Sequence, residues 1–189
     1  MTLHRRELTA SVAVAAIAAV LGLRPGAPRA EAAAAARFRI GGCDWSLGKE
    51  GDPGSFALAK EAGLDGVEVS CGKAKETLPI ADPGRQNRFQ EAAKAAGLSV
   101  CSTCLEVLHR DALKSHPYAP KWVEQAIAPT RELGAKTILL PGFFKQSYET
   151  REEQQAVADR LKALAPLAEK AGVVLALENV LAAEDNLYY

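Results

Sequence analysis

The chain has 189 residues, of which 48% are hydrophobic, and its 23 basic side chains balance 23 acidic ones. This size and composition predict one soluble globular domain of roughly 150 residues once an N-terminal signal is removed. The even charge argues against a protein that binds nucleic acid, because such proteins usually carry a strong basic excess.

The first 32 residues have the pattern of an export signal. Arg5 and Arg6 precede an uncharged run over residues 8–23, and Ala30-Glu31-Ala32 fits a cleavage site. The adjacent arginines resemble the twin-arginine signal, and the run is shorter than the roughly 18 residues of a spanning helix. We predict an exported protein, periplasmic or extracellular, with no membrane attachment after cleavage; an uncleaved signal that anchors the chain is the alternative. An alanine-rich linker follows over residues 33–37.

Apolar runs and helical patterns alternate from residue 38 onward. The first predicted strand covers residues 38–45 and the second covers 66–70. Between them, Asp52-Pro53 predicts the start of a helix, because aspartate is a good N-cap and proline fits the first helical position. Asp82-Pro83 predicts the start of the second helix in the same way, and the third strand follows over residues 98–105.

The alternation continues in the second half of the chain. A helix over residues 120–133 contains Pro129, which should kink or divide it. The fourth strand covers 136–140 and is closed by Pro141-Gly142. These residues predict a third strand-helix-strand unit.

The fourth helix has the clearest start. Thr150 and Glu153 form a capping box, and apolar residues follow at helical spacing. The helix leads to a buried run over residues 173–179, which ends in Glu178 and Asn179. We predict a fifth strand whose carboxyl end carries a carboxylate.

Four glycines mark a repeat. Gly63, Gly97, Gly134 and Gly172 each follow a helical segment and precede an apolar run, and they lie 34, 37 and 38 residues apart. This spacing fits one strand and one helix per unit. Because the strands are almost continuously apolar, the sheet should be parallel and covered by helices.

Two parallel α/β architectures fit this alternation. A doubly wound sheet normally has a glycine-rich phosphate turn after an early strand, and the sequence has none. We therefore predict a (β/α) barrel of TIM type over residues 38–189, which places functional residues at the carboxyl ends of the strands. The strand ends supply these polar or aromatic candidates: Asp44, Trp45, Glu68, Ser70, Glu106, His109, Phe143, Phe144, Glu178 and Asn179.

Four segments of the sequence resemble a known family. Residues 41–46, 64–70, 134–137 and 175–179 resemble the xylose isomerase-like TIM-barrel family of sugar phosphate isomerases and epimerases, which includes the endonuclease IV group. The resemblance covers about residues 38–186. It implies a TIM barrel of about 250 residues, so the chain would hold about five of the eight βα units.

The resemblance also implies a metal and catalytic carboxylates. In that family the glutamate that ends strand five is a divalent-metal ligand, which makes Glu178 the expected metal ligand and catalytic residue. Glu184 matches the spacing of a second active-site carboxylate in the epimerase branch, or else it begins the next helix. The cation, Mn, Mg, Zn or Co, would polarise a sugar carbonyl, and a carboxylate would move the proton on the adjacent carbon.

Five residues are predicted to bind the substrate, a sugar or sugar phosphate. Trp45 and Phe143 could stack on a sugar ring or pack at the barrel rim. Glu68 could contact the substrate at the barrel mouth or be a buried partner for a lysine. His109 could line the mouth, where the resemblance to endonuclease IV-like relatives implies a histidine ligand, or lie in a solvated loop. Asn179, beside Glu178, completes the set.

Four cysteines could pair in an oxidising compartment. Cys101 and Cys104 have the spacing of redox and zinc sites, but they lie three apart in a predicted strand, so their side chains should point to opposite faces. We expect Cys101 and Cys104 to be small buried packing residues; the other two cysteines are Cys43 and Cys71.

Two classes of function remain open. One is an exported, metal-dependent sugar isomerase or epimerase-like enzyme, incomplete and inactive as this fragment. The other is a non-catalytic fragment or binding module on the same scaffold; an endonuclease IV-like metalloenzyme is a third reading, weakened by the neutral charge and the export signal. Open edges at strands one and five would favour self-association, and therefore a homo-oligomer.

Overall fold

The computed structural model describes residues 38–73 and 76–181. The predicted signal peptide (1–32), the linker (33–37) and Glu184 lie outside the described residues. Within the described part of the chain, no helix is both long and apolar enough to cross a membrane.

Five parallel strands form one sheet in the order of the chain, β1-β2-β3-β4-β5. A (β/α) barrel places each strand beside its predecessor, whereas a doubly wound sheet reverses its strand order at one point. The sheet is therefore consistent with the predicted partial barrel. The strands are β1 (Gly41–Cys43), β2 (Gly66–Ser70), β3 (Ser99–Cys104), β4 (Thr137–Gly142) and β5 (Val174–Asn179).

Four helices connect the strands, and each packs against the strand that follows it. Their buried side chains meet those of the strands in one core between the helices and the sheet. The residues of this core that are fully buried include Phe56, Val67, Phe89, Trp122, Ile138 and Val157. The helices are α1 (Ser55–Glu61), α2 (Pro83–Ala96), α3 (Ala119–Glu132) and α4 (Arg151–Ala171).

Two of the three predicted helix starts are confirmed. The Asp82 carboxylate accepts hydrogen bonds from the amides of Gly84 and Arg85, and Pro83 is the first residue of α2. Thr150 and Glu153 form the capping box of α4 in both directions. The prediction at Asp52-Pro53 was wrong: the Asp52 carboxylate instead binds the Gly54 amide at 2.8 Å and Lys49 at 3.1 Å. These contacts close a turn before the helix, so α1 begins at Ser55.

The structure also corrects three element boundaries. β1 has only three residues, shorter than the predicted strand over 38–45. Pro141 and Gly142 do not close β4 but belong to it, paired with Glu178 and Asn179 of β5. Pro129 does not divide α3, which continues to Glu132.

The four glycines of the sequence repeat end the helices as predicted. Gly63, Gly97, Gly134 and Gly172 all have positive φ, between 69° and 78°. This left-handed conformation is the one that a residue without a Cβ adopts at little cost. The repeat in the sequence therefore reflects a repeated helix stop.

Candidate functional site

A cavity of about 350 Å³ opens at the carboxyl ends of β1, β2 and β3. Two of the predicted substrate-binding residues, Trp45 and His109, line it. Trp45 lies two residues after β1 and is 37% exposed, so part of its ring faces solvent. We refer to it as the β1–β3 cavity, and its lining residues are Trp45, Glu50, Ser70, Lys73, Cys104, Glu106, Val107, His109 and Arg110.

Glu106 is the buried acid of the β1–β3 cavity. It begins a short 3-10 helix (Glu106–His109) directly after β3 and is only 7% exposed. Its Oε1 accepts a hydrogen bond from the Gly72 amide at 2.7 Å, while its buried Oε2 has no hydrogen-bond partner among the described residues. Burial raises the pKa of Glu106 from 4.5 to about 7; backbone hydrogen bonds oppose the shift, and the charges of Asp44 and Glu50 add to it.

Gly72 holds Glu106 in place through a backbone that another residue could not easily adopt. Its φ is 92°, and a Cβ at this position would meet Pro79 at 2.6 Å. The amide of Gly72 can therefore reach the Glu106 carboxylate only because the side chain is missing.

Asp44, another of the candidate residues at the strand ends, has a structural role. It is fully buried, and its carboxylate accepts hydrogen bonds from the Gly51 amide, the Ser70 amide and the Ser70 hydroxyl, at 2.7–2.9 Å. These contacts tie the segment after β1 to the end of β2. Because its carboxylate is satisfied by three donors, Asp44 is a fixed part of the scaffold next to the cavity residue Ser70.

The charged groups at the rim of the β1–β3 cavity are paired. Lys73 contacts Glu50 at 2.7 Å, and Arg110 contacts Asp111 at 2.6 Å. Both cations therefore carry a carboxylate partner at short distance. The net charge that the rim offers to a ligand is small.

A second cavity of about 390 Å³ lies at the ends of β4 and β5. Three more of the predicted site residues line this cavity: Phe143, Glu178 and Asn179. His109 of the first cavity and Phe143 of the second pack edge to face, with ring centroids 5.0 Å apart. The Gln146 amide also donates to the carbonyls of His109 and Arg110, which ties the segment after β4 to the segment after β3.

Phe144 stands at this shared end in an unusual conformation. Its φ is 53°, in the left-handed region that a bulky residue rarely enters, and its side chain is 84% exposed. Backbone strain of this kind costs on the order of 1–3 kcal/mol and is common at functional sites. An exposed aromatic ring held here can meet a ligand in the second cavity.

Glu178 alone does not make a metal centre. It is exposed, and the Asn179 side-chain oxygen beside it already accepts the Leu181 amide at 2.9 Å. Within the described residues, no group of three or more His, Cys, Asp or Glu side chains could hold a metal ion. The residues that the structure describes thus supply one carboxylate ligand and do not fit a complete divalent-cation site.

Glu68 lies apart from both cavities. It accepts hydrogen bonds from the Ser102 hydroxyl at 2.5 Å and from the Cys43 thiol at 3.5 Å, and no lysine contact was found for it among the described residues. The pairing of β2 with β3 slips at this point, between Val67 and Glu68, which leaves Cys101 opposite no partner. Glu68 therefore joins the first three strands at an irregular point of the sheet.

The cysteines are free thiols, and one of them departs from expectation. Cys71 and Cys104 are buried, and burial raises the pKa of both thiols. Cys101 is exposed and lines a groove at the opposite end of the sheet from Cys104. The expectation of buried packing residues was therefore wrong for Cys101, because the slip in β3 turns it out of the core.

Sequence reasoning placed Glu106 among the strand ends but gave it no role. The signal available was a lone carboxylate directly after the apolar run of residues 98–105. A carboxylate in that position can face solvent or be buried, and the sequence does not distinguish the two. The Gly72 amide, 34 residues away, decides the outcome.

Comparisons with known proteins identify relatives of the same fold. The family described as xylose isomerase-like TIM barrel matches residues 56–189. The chain is 29% identical over 144 residues to 2-epi-5-epi-valiolone 7-phosphate 2-epimerase of Actinoplanes sp., covering 76% of this chain and 53% of that protein. It is 31% identical over 131 residues to L-ribulose-5-phosphate 3-epimerase UlaE of Salmonella heidelberg, covering 65% and 46%. The chain thus spans about half the length of these curated relatives.

Solved structures show the same fold at low sequence identity. The D-allulose 3-epimerase of Methylomonas sp., in complex with D-allulose, superposes with a TM-score of 0.56 at 18% identity, over 80% of this chain and 57% of that one. A xylose isomerase-like TIM barrel protein of Mycobacterium smegmatis, in complex with magnesium, gives 0.58 at 12% identity, over 80% and 60%.

Proposed function

The chain belongs to the xylose isomerase-like TIM barrel family, and from that premise we propose a sugar or sugar phosphate epimerase or isomerase activity. The observation that carries the proposal is the position of Glu178 at the carboxyl end of β5, in a cavity with Phe143 and Asn179. The two curated relatives are both sugar phosphate epimerases.

In the proposed reaction Glu178 acts as a base next to a sugar carbonyl. Its carboxylate takes the proton from the carbon adjacent to the carbonyl. The electron pair of that C–H bond forms a C=C double bond to the carbonyl carbon, and the π electron pair of the C=O bond moves onto the carbonyl oxygen. Return of a proton to the other face of the same carbon gives the epimer, and return to the neighbouring carbon gives the isomer. Phe143 and Trp45 would pack on the sugar, and Asn179 and His109 would contact its hydroxyls.

We further propose that Glu178 is one ligand of a divalent cation, with the remaining ligands supplied from outside the described residues. Such a cation would polarise the carbonyl and stabilise the negative charge that develops on its oxygen. Support comes from the structural relative that holds magnesium. Mn, Zn and Co are equally compatible with a carboxylate-containing site.

The test is Glu178→Gln in the full-length protein, which keeps the shape of the side chain but removes its charge. We expect Mg²⁺ or Mn²⁺ to raise the melting temperature of the wild type and to leave this variant unchanged. We also expect the variant to lose the exchange of solvent deuterium into D-allulose, measured by NMR. Glu169→Gln, on the exposed face of α4, is the control; an unchanged metal shift in Glu178→Gln would contradict the assignment.

A carbohydrate-binding module without chemistry is the second candidate. It is favoured by the β1–β3 cavity, which has a volume of about 350 Å³ and is lined by Trp45 and the buried Glu106. The same experiment separates the two: D-allulose binding without deuterium exchange in the full-length wild type would support the module.

Export remains a proposal that rests on residues 1–32 alone. Support comes from Arg5-Arg6 and the uncharged run behind them. Changing both arginines to lysine should retain the protein in the cytoplasmic fraction of a bacterial host, whereas the unchanged sequence should reach the periplasm or medium. Equal distribution of the two forms would argue against the twin-arginine route.

A further inference from the structure

Glu106 lines the β1–β3 cavity with a carboxyl group of which the described part of the protein uses only one oxygen. Glu106 is 7% exposed, its Oε1 is held by the Gly72 amide, and its Oε2 has no partner among the described residues. A buried polar atom without a partner costs about 1–3 kcal/mol. We propose that Glu106 determines ligand specificity by binding, through Oε2, an uncharged hydroxyl-bearing end of a carbohydrate in the β1–β3 cavity.

The other walls of the cavity suit such a ligand. The volume, about 350 Å³, lies in the range of small-molecule sites. Trp45 offers a partly exposed aromatic ring at the rim, and aromatic rings pack well on the C–H faces of sugars. Val107 adds apolar surface next to Glu106.

The charges argue against a phosphate at this end of the ligand. Both rim cations are already paired, Lys73 with Glu50 at 2.7 Å and Arg110 with Asp111 at 2.6 Å. A phosphate would have to compete with these carboxylates and would lie close to Glu50 and Glu106, which are acids themselves. The cavity therefore accepts a neutral end of the sugar and rejects a phosphorylated one.

The carboxyl group binds in its protonated form. Burial is the main reason that its pKa lies near 7, and a ligand that removes the remaining water from the cavity favours the neutral form further. The protonated Oε2 then donates its hydrogen to a sugar hydroxyl. The ionisable groups that interact with Glu106 or share its cavity are Asp44, Glu50, Cys71, Lys73, Cys104, His109 and Arg110.

This inference rests on the proposed function only in taking a carbohydrate as the ligand. It requires neither a metal nor Glu178. If the wild type shows neither stabilisation by a metal nor deuterium exchange, the proposed reaction is contradicted while the role of Glu106 stays intact, so the two failures are distinguishable.

The test compares three probes on the 189-residue chain: D-allulose, D-fructose and D-fructose 1,6-bisphosphate, which is charged at both ends. Binding is measured by saturation-transfer NMR and by titration of tryptophan fluorescence. We expect the two neutral sugars to bind and the bisphosphate to bind about tenfold more weakly or not at all. Equal or tighter binding of the bisphosphate overturns the proposal, and so does the failure of both neutral sugars to bind.

Two variants of Glu106 assign the effect to this residue. Glu106→Leu should weaken D-allulose binding about tenfold, since it removes one hydrogen bond, while Glu91→Gln, on the exposed surface of α2, should have no effect. The side-chain amide of Glu106→Gln is a hydrogen-bond donor at every pH, so the affinity of this variant for D-allulose should be the same at pH 6 and pH 8. Wild-type binding should weaken over that range, because its carboxyl ionises near pH 7. If Glu106→Leu binds D-allulose as well as the wild type does, or if wild-type binding does not change between pH 6 and pH 8, the proposed role of Glu106 is overturned. If Glu106→Leu does not fold, the comparison of the pH profiles of the wild type and Glu106→Gln decides.

Discussion

Two buried carboxyl groups near the ends of neighbouring strands differ in how completely their hydrogen bonds are satisfied. Asp44 accepts three hydrogen bonds from the Gly51 and Ser70 groups. Glu106 accepts one, and its second oxygen is left without a partner in the described residues. A satisfied carboxylate stabilises the fold, whereas an unsatisfied one with a shifted pKa is typical of a site that binds or reacts.

Glu106 should make stability depend on pH. Its folded pKa, about 7, is above the value of 4.5 for an exposed glutamate. The folded state therefore binds more protons between these values, so the free energy of unfolding falls as pH rises through this window. The loss should be complete above pH 7 and absent below 4.5, with a total of about 3 kcal/mol.

Glu106→Gln removes this titration. We expect the variant to be more stable than the wild type at pH 8, and the difference to disappear at pH 4.5, measured by urea denaturation at each pH. Glu91→Gln is the matched control, because its carboxylate is exposed. A stability difference that does not change with pH would show that Glu106 is ionised in the folded state throughout.

At the scale of elements, Asp44 adds side-chain contacts between β1 and β2 to the short ladder that joins them. β1 contributes only three residues to the sheet, and the Asp44 contacts extend the connection to Ser70 at the end of β2. Because the site residues Trp45 and Ser70 flank this connection, its loss should also disturb the β1–β3 cavity.

Asp44→Ala tests this connection. It leaves the two buried donors of Ser70 and the part-buried Gly51 amide without an acceptor, which should cost about 3–5 kcal/mol. Asp52→Ala removes an aspartate from the same loop that is about half exposed and holds only Lys49 and Gly54, so it should cost about 1 kcal/mol or less. Chemical denaturation of both variants gives the comparison; similar losses would mean that the buried contacts of Asp44 contribute little.

Elements with local signals were predictable from the sequence. The glycine stops, the Asp82 cap, the Thr150 capping box and the exact span of β2 all depend on neighbouring residues, and the structure confirms them. The prediction that Asp52 caps α1 was wrong because its carboxylate binds Lys49 and Gly54 instead. The spacing of residues in the sequence does not show which of these competing local partners the carboxylate takes.

The candidate site was predictable only at the level of strand ends. Parallel strands place their carboxyl ends at one edge of the sheet, so Trp45, His109, Phe143 and Glu178 were predicted to lie at one end, and they do line the two cavities found there. Glu68 lies outside both cavities because it is the central residue of β2, where its carboxylate accepts hydrogen bonds from Ser102 and Cys43 of the neighbouring strands.

At the scale of the whole molecule, the described sheet has two outer strands with apolar surface beside them. β1 and β5 each pair on one side only. Ile40 and Val174, next to or within these strands, are both 59% exposed. Unpaired strand edges with apolar neighbours favour association between chains.

A polypeptide of residues 33–189 should therefore self-associate. We expect light scattering to give a mass above that of the monomer, rising with concentration. Val174→Lys combined with Leu167→Lys should shift the mass toward the monomer, because charges on exposed positions beside an edge strand oppose pairing. Ala95→Lys, on the exposed face of α2, adds a charge away from both edges and should leave the mass unchanged. A monodisperse wild-type monomer that unfolds cooperatively in calorimetry would mean that neither edge strand pairs with another chain. In that case the charged variants would have the same mass and the same melting temperature as the wild type.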